Sequence, residues 1–241
     1  MTEELLYEGK AKKVYATGEE DVLVHRYKDD ATAFDGQKRG SWKDKGKTNA
    51  TMSATIFAYL EANGVPTHFI EQVDETSIKT KRLEMLPVEV IVRNVAAGSL
   101  AKRIGYEEGT ELKAPIIELC YKNDELGDPM LNWYHFRELG VPDEDLEFCE
   151  ELGLRVNQVL APFFDERGIS LVDFKIEVGR DADGQLMLAD EISPDTCRFW
   201  DKETGERLDK DRFRRDMGGV EEAYAEMLRR VTEITQRGAV D

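Results

Sequence analysis

The sequence lacks the long apolar runs and the excess of basic charge that mark several large classes of protein. No stretch approaches the ~20 apolar residues that a membrane helix needs. Lys and Arg number 33 against 50 Asp and Glu, and a net charge of −17 argues against a nucleic-acid or membrane-surface partner. The first four residues lack the basic and apolar regions of a signal peptide. We therefore expect a cytoplasmic protein.

Cysteine and histidine are also scarce, and neither occurs in a recognised chemical pattern. The residues are Cys120, Cys149 and Cys197, and His25, His68 and His135. The cysteines are far apart and lack CxxC spacing, so reduced thiols are favoured over disulfides or zinc. No histidine lies in an HExxH motif or beside a GxSxG turn, which leaves zinc-protease and serine-hydrolase chemistry without support.

What remains is a globular composition, 41% hydrophobic and 34% charged, over 241 residues. Short apolar runs broken by glycine predict strands in the first ninety residues, and apolar residues at helical spacing dominate the second half. We predict an α+β fold with a strand-rich lobe over residues 1–86, a mixed lobe over 87–241 and a cleft between them. Predicted strands cover 5–7, 11–16, 22–25, 67–73, 88–92, 169–178 and 185–192; predicted helices cover 48–60, 99–104, 143–168 and 220–234.

The most informative segment is the strand at residues 171–178, where apolar residues alternate with Asp173, Lys175 and Glu177. Asp183-Gly184 predicts a two-residue hairpin loop, which would place Glu177 directly opposite Asp190. Because facing carboxylates repel, such a pair suggests a cation between them, and oxygen ligands beside nucleotide phosphates favour Mg²⁺. The alternative is a solvent-facing strand whose lysine neutralises its neighbours.

Two other segments could bind polyphosphate. Gly9 precedes Lys10 and Lys12, which share one side of a strand, although an exposed basic strand explains them equally well. Residues 40–48 resemble a P-loop but have five residues between the glycines instead of four. The basic cluster there fits an anionic ligand or a surface loop; its members are Lys38, Arg39, Lys43, Lys45 and Lys47.

Two further segments combine polar residues with the ends of predicted strands. Arg93 ends one strand, and Ser99 follows a glycine at a helix start, an arrangement suited to phosphate. Residues 190–198 place three carboxylates, a serine and Arg198 directly after the predicted metal strand. A capped helix and a surface loop are the alternative interpretations.

Together these segments closely resemble the SAICAR synthetase family, in family order and over nearly the whole chain. The matching motifs are Gly9-Lys10-Ala11-Lys12, Pro87-Val88-Glu89, Val92-Arg93-Asn94, Ala96-Ala97-Gly98-Ser99-Leu100, Lys122-Asn123-Asp124, Asp128-Pro129-Met130, Leu171-Val172-Asp173-Phe174-Lys175, Asp190-Glu191, Ser193-Pro194-Asp195 and Asp209-Lys210-Asp211-Arg212-Phe213-Arg214. Two departures are local: Phe34 stands where a small residue is expected, and Thr196-Cys197 where small polar residues are common.

The resemblance implies an ATP-dependent ligase of purine biosynthesis. It would join L-aspartate to the carboxylate of carboxyaminoimidazole ribonucleotide, giving the succinocarboxamide, ADP and phosphate through an acyl phosphate. It also implies Mg²⁺, a homodimer, and a two-lobed α+β fold whose nucleotide cleft is related to ATP-grasp and kinase-like folds.

The resemblance also implies a set of site residues. The catalytic candidates are Lys175 and Asp195; ATP would contact Lys10, Lys12, Lys81, Glu84 and Met85; the ribotide phosphate would contact Arg93, Ser99 and Arg198; Asp128 is a further substrate candidate; Lys210 and Arg214 would pair with L-aspartate; and Mg²⁺ would bind Glu177 and Asp190.

Two other function classes stay open on the residues alone. A kinase would share the glycine–lysine contacts and paired carboxylates, but the sequence has neither an HRD-like catalytic loop nor a DFG motif. A non-enzymatic nucleotide-binding or scaffold protein would bind ATP and release no phosphate when the other substrates are added.

Overall fold

The computed structural model describes residues 4–33 and 37–233. The departure at Phe34 and the end of the last predicted helix at Ile234 lie outside these residues. The strands are β1 (Glu4–Glu8), β2 (Lys12–Ala16), β3 (Val22–Tyr27), β4 (Asp30–Ala33), β5 (Lys38–Ser41), β6 (Phe69–Asp74), β7 (Ser77–Lys81), β8 (Glu84–Val95), β9 (Glu111–Tyr121), β10 (Ile169–Arg180), β11 (Leu186–Ala189) and β12 (Cys197–Asp201). The helices are α1 (Lys45–Ala62), α2 (Gly98–Ile104), α3 (Trp133–Glu138), α4 (Asp143–Asp165), α5 (Asp211–Arg214) and α6 (Val220–Glu233).

The first sheet has the strand order β1-β2-β3-β7-β6 and is antiparallel throughout. Helix α1 packs on it and buries Met52, Ile56 and Leu60, which recur every fourth residue and so share one helix face. Gly46 permits this approach, because a Cβ there would lie 2.7 Å from the carbonyl oxygen of Tyr27. The predicted strands and helix of this region are confirmed.

The second sheet has the order β11-β10-β8-β9, with β12 paired to the other end of β10. Its central strands β8 and β10 are largely buried, and α4 covers one face. The helix lies so close that a Cβ at Gly153 would be 3.0 Å from a methyl carbon of Val90. Helix α6 packs against α1. The predicted α+β architecture is confirmed, whereas the boundary between 1–86 and 87–241 stays a prediction.

The hairpin between β10 and β11 differs from the predicted register by one residue. Glu177 pairs with Ala189, and the Asp181 N–H donates to the oxygen of Gln185 at 3.0 Å, so the loop has three residues. The prediction that Glu177 lies directly opposite Asp190 is therefore wrong. Asp190 instead follows the last paired residue of β11 and has a left-handed backbone with φ 70°.

The charged face of β10 is not the solvent-facing surface that simple alternation allows. Asp173 is 4% exposed and Glu177 is 5% exposed, because β10 is covered on both faces. Burial without a partner would cost several kcal/mol for each carboxylate, so these residues must have cationic neighbours.

Among the residues that the structure describes, five strands have no counterpart among the predictions: β4, β5, β7, β9 and β12. Strand β9 lies at the edge of its sheet, is largely exposed at its start, and contains Pro115, which an edge position tolerates. Strands β4 and β5 form a separate two-stranded ribbon. Each of these two strands has only four residues, the shortest length at which an alternating pattern can be recognised.

The acidic run of residues 143–151 starts α4, as predicted, although Asp145 is buried and accepts a hydrogen bond from Arg180. The three cysteines are free and buried, in agreement with the prediction of reduced thiols. Burial raises the pKa of Cys149 to about 12. In the part of the chain that the structure describes, every helix is too short or too polar to cross a membrane.

Candidate active site

A cavity of about 440 Å³ lies where the two sheets meet. Apolar side chains from β2, β3 and the segment that joins the sheets line one part, among them Val14, Leu23, Leu83 and Met85. Lysines and carboxylates line the rest; they are Lys10, Lys12, Lys81, Lys122, Lys175, Lys210, Glu89, Asp124, Asp128, Glu177, Asp190, Glu191 and Asp195. An apolar part next to a charged part matches a ligand with a flat ring and an anionic tail.

The charged part contains what we call the lysine–carboxylate cluster: Lys12, Lys175, Glu89, Glu177 and Asp190. Lys175 Nζ donates to Glu89 at 3.1 Å, Glu177 at 2.8 Å and Asp190 at 3.0 Å. Lys12 Nζ donates to the other oxygen of Asp190 at 2.6 Å. The structure thus brings Glu177 and Asp190 to one ammonium group, although not through the predicted register.

The strands explain this convergence. Glu177 and Lys175 are two apart on β10, so they share a face, and Glu89 is the partner of Glu177 on β8. Strand β11 ends at Ala189 and β12 begins at Cys197, which leaves a gap beside β10. The connecting segment fills this gap, and the Lys175 N–H donates to the oxygen of Thr196 at 2.8 Å.

The cluster is strongly polarised. Although burial opposes ionisation, Lys12 and Lys175 hold the pKa of Asp190 well below its usual range. Burial likewise opposes the charge of Lys175, but Asp190 and Glu177 raise its pKa well above the usual value. Burial raises the pKa of Glu89, an effect that Lys175 opposes and Glu177 reinforces. Asp190 and Lys175 therefore hold each other in the charged state, whereas burial favours the neutral form of Glu89.

The other predicted nucleotide residues lie around this cluster, with one exception. Lys10 Nζ donates to Asp124 at 2.7 Å at the cavity mouth, and Lys81 and Met85 lie beside the joining segment. Glu84 is exposed on β8 and does not line the cavity. Asp128 does line it, and its side chain accepts from the Asn123 N–H at 2.8 Å.

The predicted ribotide residues form a second group, which we call the arginine cluster: Arg93, Arg198, Ser99, Asp173 and Asp211. Asp173 Oδ2 accepts from Arg93 at 2.9 Å and from Arg198 at 2.7 Å. Arg93 also donates to Ser99 Oγ at 3.4 Å, and Arg198 Nε donates to Asp211 at 2.9 Å. The structure therefore brings together all three predicted phosphate contacts.

Gly98 fixes the shape of this cluster. Its φ is 54°, and a Cβ there would lie 2.8 Å from a guanidinium nitrogen of Arg198. Arg214 joins from α5, donating to the second oxygen of Asp211 at 2.7 Å. Burial opposes ionisation of Asp211, but Arg198 lowers its pKa to about 2.

Asp195 and Lys210 line the same cavity as the lysine–carboxylate cluster, and Lys210 directly precedes Asp211 of the arginine cluster. Asp195 Oδ2 is 2.6 Å from Lys45 Nζ and 3.8 Å from Lys210 Nζ, and Asp195 Oδ1 accepts from Tyr224 Oη at 2.7 Å. Burial and the like charge of Lys45 lower the pKa of Lys210, despite the opposing effect of Asp195.

Sequence reasoning missed four functional candidates: Glu89, Asp173, Lys45 and His68. Glu89 and Asp173 lie inside quoted motifs, and strand alternation could have placed them beside Lys175. The basic cluster of residues 38–47 does not converge, because Lys38 pairs with Asp216, Lys47 with Glu75 and Lys45 with Asp195. His68 lines the cavity and packs edge-to-face against His25, with ring centroids 5.6 Å apart, a contact that local sequence spacing does not predict.

The donor set around Lys175 fits Mg²⁺ in part. Within residues 4–33 and 37–233, His, Cys, Asp and Glu nowhere form a group of three able to hold a metal. Two carboxylates with oxygen donors do suit Mg²⁺, which commonly takes its remaining ligands from nucleotide phosphates and water. Glu177 and Asp190 thus fit a cation that arrives with a nucleotide.

The fold and the site define a protein with a charged cleft that contains paired carboxylates, next to a separate arginine cluster. Comparison with known proteins makes this specific. The family profile described as SAICAR synthetase matches residues 5–231. The chain belongs to the SAICAR synthetase family.

Curated relatives agree over almost the full length. Phosphoribosylaminoimidazole-succinocarboxamide synthase of Deinococcus radiodurans is 56% identical over 95% of this chain and 97% of its own. The enzyme of that name from Desulfitobacterium hafniense is 57% identical over 96% and 97%. A solved SAICAR synthetase in complex with ADP has a TM-score of 0.91 and 51% identity, covering 94% of this chain and 97% of its own. The predicted family and fold class are confirmed.

Proposed function

We propose that this enzyme condenses carboxyaminoimidazole ribonucleotide with L-aspartate, using ATP and releasing the succinocarboxamide, ADP and phosphate. The observation that carries the proposal is the pair of adjoining sites, one polarised around Lys175 and one built on Arg93 and Arg198. The first suits a nucleotide polyphosphate, and the second suits the phosphate of a ribotide. The relative solved with ADP supports the first assignment.

The chemistry requires activation of the ribotide carboxylate. A carboxylate is a poor electrophile, because attack places more charge on a group that is already anionic. Transfer of the ATP γ-phosphoryl group to a carboxylate oxygen makes an acyl phosphate and releases ADP. The aspartate amine then attacks the carbonyl carbon, phosphate leaves, and the amine proton passes to solvent or to a nearby base.

The residues near the ATP cleft take roles that match their positions. Lys10 and Lys12 would contact the ATP phosphates, and the segment with Lys81 and Met85 would contact the adenine. Glu84, which lies outside the cavity, would contribute through its backbone only. Lys175 would stabilise negative charge on the transferring phosphoryl group.

Arg93, Ser99 and Arg198 would bind the ribotide phosphate, and Lys210 and Arg214 the carboxylates of L-aspartate. Asp195 and Asp128 line the cavity and are further catalytic and substrate-binding candidates. Asp211, which joins Arg198 to Arg214, would keep the two anion sites at a fixed separation.

Glu177 and Asp190 would hold Mg²⁺, which when bound would neutralise charge on the nucleotide phosphates. Lys175 and Lys12 neutralise these carboxylates within the protein chain itself. We propose that nucleotide phosphates share the two lysines with the carboxylates, so that the cation and the nucleotide bind together.

The deciding assay measures ADP release with carboxyaminoimidazole ribonucleotide, with and without L-aspartate. We expect full turnover only when all three substrates are present, and formation of the succinocarboxamide in equal amount to ADP. A kinase would release ADP without L-aspartate, and a binding protein would release none. Turnover that needs neither co-substrate would rule out the ligase.

The cytoplasmic location and the homodimer expected from the resemblance are also proposals. Light scattering after size-exclusion chromatography would measure the mass in solution. A mass near twice 27.5 kDa is expected, and a single 27.5 kDa species at micromolar concentration would contradict the dimer.

A further inference from the structure

Lys45 is a charged residue that the proposed chemistry does not use, yet it is among the most deeply buried side chains of the protein. Its residue exposure is 1%, and its Nζ lies 2.6 Å from Asp195 Oδ2. A buried lysine is costly unless it is paired, so a fold that retains one needs its charge at that place. The charge meets a carboxylate on the wall of the cavity.

Three different elements hold Lys45 in place. It is the first residue of α1, and the following Gly46 N–H donates to Asp29 Oδ1 at 2.9 Å. The ammonium lies 5.9 Å from the ring centroid of Trp42, which packs edge-to-face on Tyr224 of α6. Lys45 therefore has little freedom to turn away from Asp195.

Each oxygen of Asp195 has a close partner in this arrangement. Lys45 Nζ forms an ion pair with Oδ2 at 2.6 Å, outside hydrogen-bond geometry, and the hydroxyl of Tyr224 donates to Oδ1 at 2.7 Å. The Asp195 N–H donates to Ser193 Oγ at 3.1 Å, which fixes the loop as well as the side chain. Such a carboxylate is held as a permanent anion rather than offered as a proton acceptor.

Lys210 lies next to the same carboxylate without binding it closely. Its Nζ is 3.8 Å from Asp195 Oδ2, beyond hydrogen-bond distance, and the residue lines the cavity. Without Lys45, the nearest cation for the buried carboxylate would be Lys210 itself. Lys45 thus competes with Lys210 for one oxygen atom and is the closer of the two.

We infer that Lys45 is a positioning residue that binds Asp195 and thereby leaves the ammonium of Lys210 available to a carboxylate of L-aspartate. Tyr224 binds the other oxygen, so the loss of either partner would leave the carboxylate with an oxygen that Lys210 could bind. This inference rests on the proposed function for the identity of the substrate, but the geometry of Asp195 and Lys210 can be tested without it.

The first test is a crystal structure of Lys45→Met, which keeps the length of the side chain and removes its charge. Lys210 Nζ should move from 3.8 Å to hydrogen-bond distance, about 2.8 Å, from Asp195. A Lys210 that stays in place overturns the inference, whether or not the enzyme has the proposed activity. If Lys45→Met does not fold, Tyr224→Phe, which keeps the ring on Trp42, should show the same movement, and its absence has the same meaning.

The second test is a double-mutant cycle on kinetic constants. Lys45→Met and Lys210→Met should each raise the KM for L-aspartate about tenfold, the size of one charged hydrogen bond, with much smaller changes for ATP. If Lys45 acts through Lys210, the double variant should match Lys210→Met alone. A second cycle that combines Tyr224→Phe with Lys210→Met makes the same comparison of KM values for L-aspartate, with a substitution that removes only a hydroxyl group.

If the KM increases of the two single variants multiply in the double variant, the inference is overturned. The same holds if the KM values for all three substrates rise equally and the Tm falls, because that would show a merely structural role. Lys47→Met is the matched control, because Lys47 lies on the same helix and pairs with Glu75 instead of the cavity wall. Absence of turnover in the unaltered protein would refute the proposed function alone, and the crystallographic distance would then decide the inference.

Discussion

The lysine–carboxylate cluster and the arginine cluster neutralise charge in different ways. In the first, carboxylates surround one compact ammonium, since Lys175 donates to Glu89, Glu177 and Asp190. In the second, several carboxylates hold the guanidinium groups: Asp173 Oδ2 accepts from both Arg93 and Arg198, while Glu118 accepts from Arg93 Nε and Asp211 from Arg198 Nε. The first cluster is thus centred on an ammonium group, and the second on two guanidinium groups bridged by a shared carboxylate.

The difference matches what each cation can do. A lysine is a point charge that changes partners without strict geometry, which suits a group that must follow a phosphoryl group in transfer. A guanidinium is planar and always charged, and it binds phosphate at fixed angles. Under the proposed function, the enzyme would place mobile charge where bonds change and rigid charge where a substrate is only held.

The strongest challenge to this contrast is Lys175→Met. Loss of the central ammonium should lower kcat about 10²–10³-fold, because phosphoryl charge loses its stabilising cation while Glu89 and Glu177 repel. Steady-state turnover with all three substrates measures it. Lys202→Met, at an exposed lysine paired with Asp165, is the control. A kcat within a few-fold of that of the unaltered protein would refute the proposed role of Lys175 in phosphoryl transfer.

The arginine cluster is tested by Arg198→Lys. A lysine cannot bond Asp173 and Asp211 and still present a planar donor pair, so the KM for the ribotide should rise about 10–100-fold, with little change for ATP. Arg93→Ala should act in the same direction. Arg229→Lys on the outer face of α6 is the matched control. A defect confined to ATP would reverse the assignment of the two clusters.

Removing one carboxylate at a time tests the lysine–carboxylate cluster more narrowly. Glu177→Gln and Asp190→Asn should each raise the Mg²⁺ concentration needed for half-maximal rate by about tenfold or more, since each loses a charged oxygen donor. Magnesium titrations at saturating substrates measure the shift, with Glu206→Gln at the exposed turn as control. Unchanged Mg²⁺ dependence in both variants would refute the metal assignment.

The smallest expected effect is on acid stability. Asp211 has an ordinary pKa of 3.8 and a folded pKa of about 2, so it binds fewer protons folded than unfolded. Its stabilisation, about 2 kcal/mol, is complete above pH 4 and is lost as the pH falls through about 2. Asp211→Asn should flatten this part of the Tm profile, whereas Asp183→Asn in the exposed hairpin loop should not. If the Tm of Asp211→Asn falls at low pH as steeply as that of the unaltered protein, the ion pairs of Asp211 with Arg198 and Arg214 would be contradicted.

The sequence predicted the strand that carries the chemistry but not its partner register. Alternation places Lys175 and Glu177 on one face, and that much is a property of any strand. The position of Asp190 depends on loop length, and Asp183-Gly184 is equally compatible with a three-residue loop closed by Asp181 and Gln185. A one-residue difference in loop length therefore decides the pairing, and no local pattern fixes it.

The burial of Lys45 shows a second limit of prediction from the sequence. In the sequence it is one of several lysines in a polar segment, and lysines in such segments are usually solvated. Its burial depends on Asp195, Trp42 and Tyr224, which come from distant parts of the chain. Motif resemblance located Asp195, but only the folded packing reveals that Asp195 is already bound.

The left-handed backbone of Asp190 limits what any evolved or engineered variant can place there. Among charged residues, aspartate tolerates positive φ best because its short side chain can bond locally. Glutamate would keep the negative charge but carry it further out at greater conformational cost, while glycine would relax the turn and abolish the charge. Asparagine keeps the tolerance of positive φ and removes the charge, so Asp190→Asn separates the two demands by the exchange of a single heavy atom.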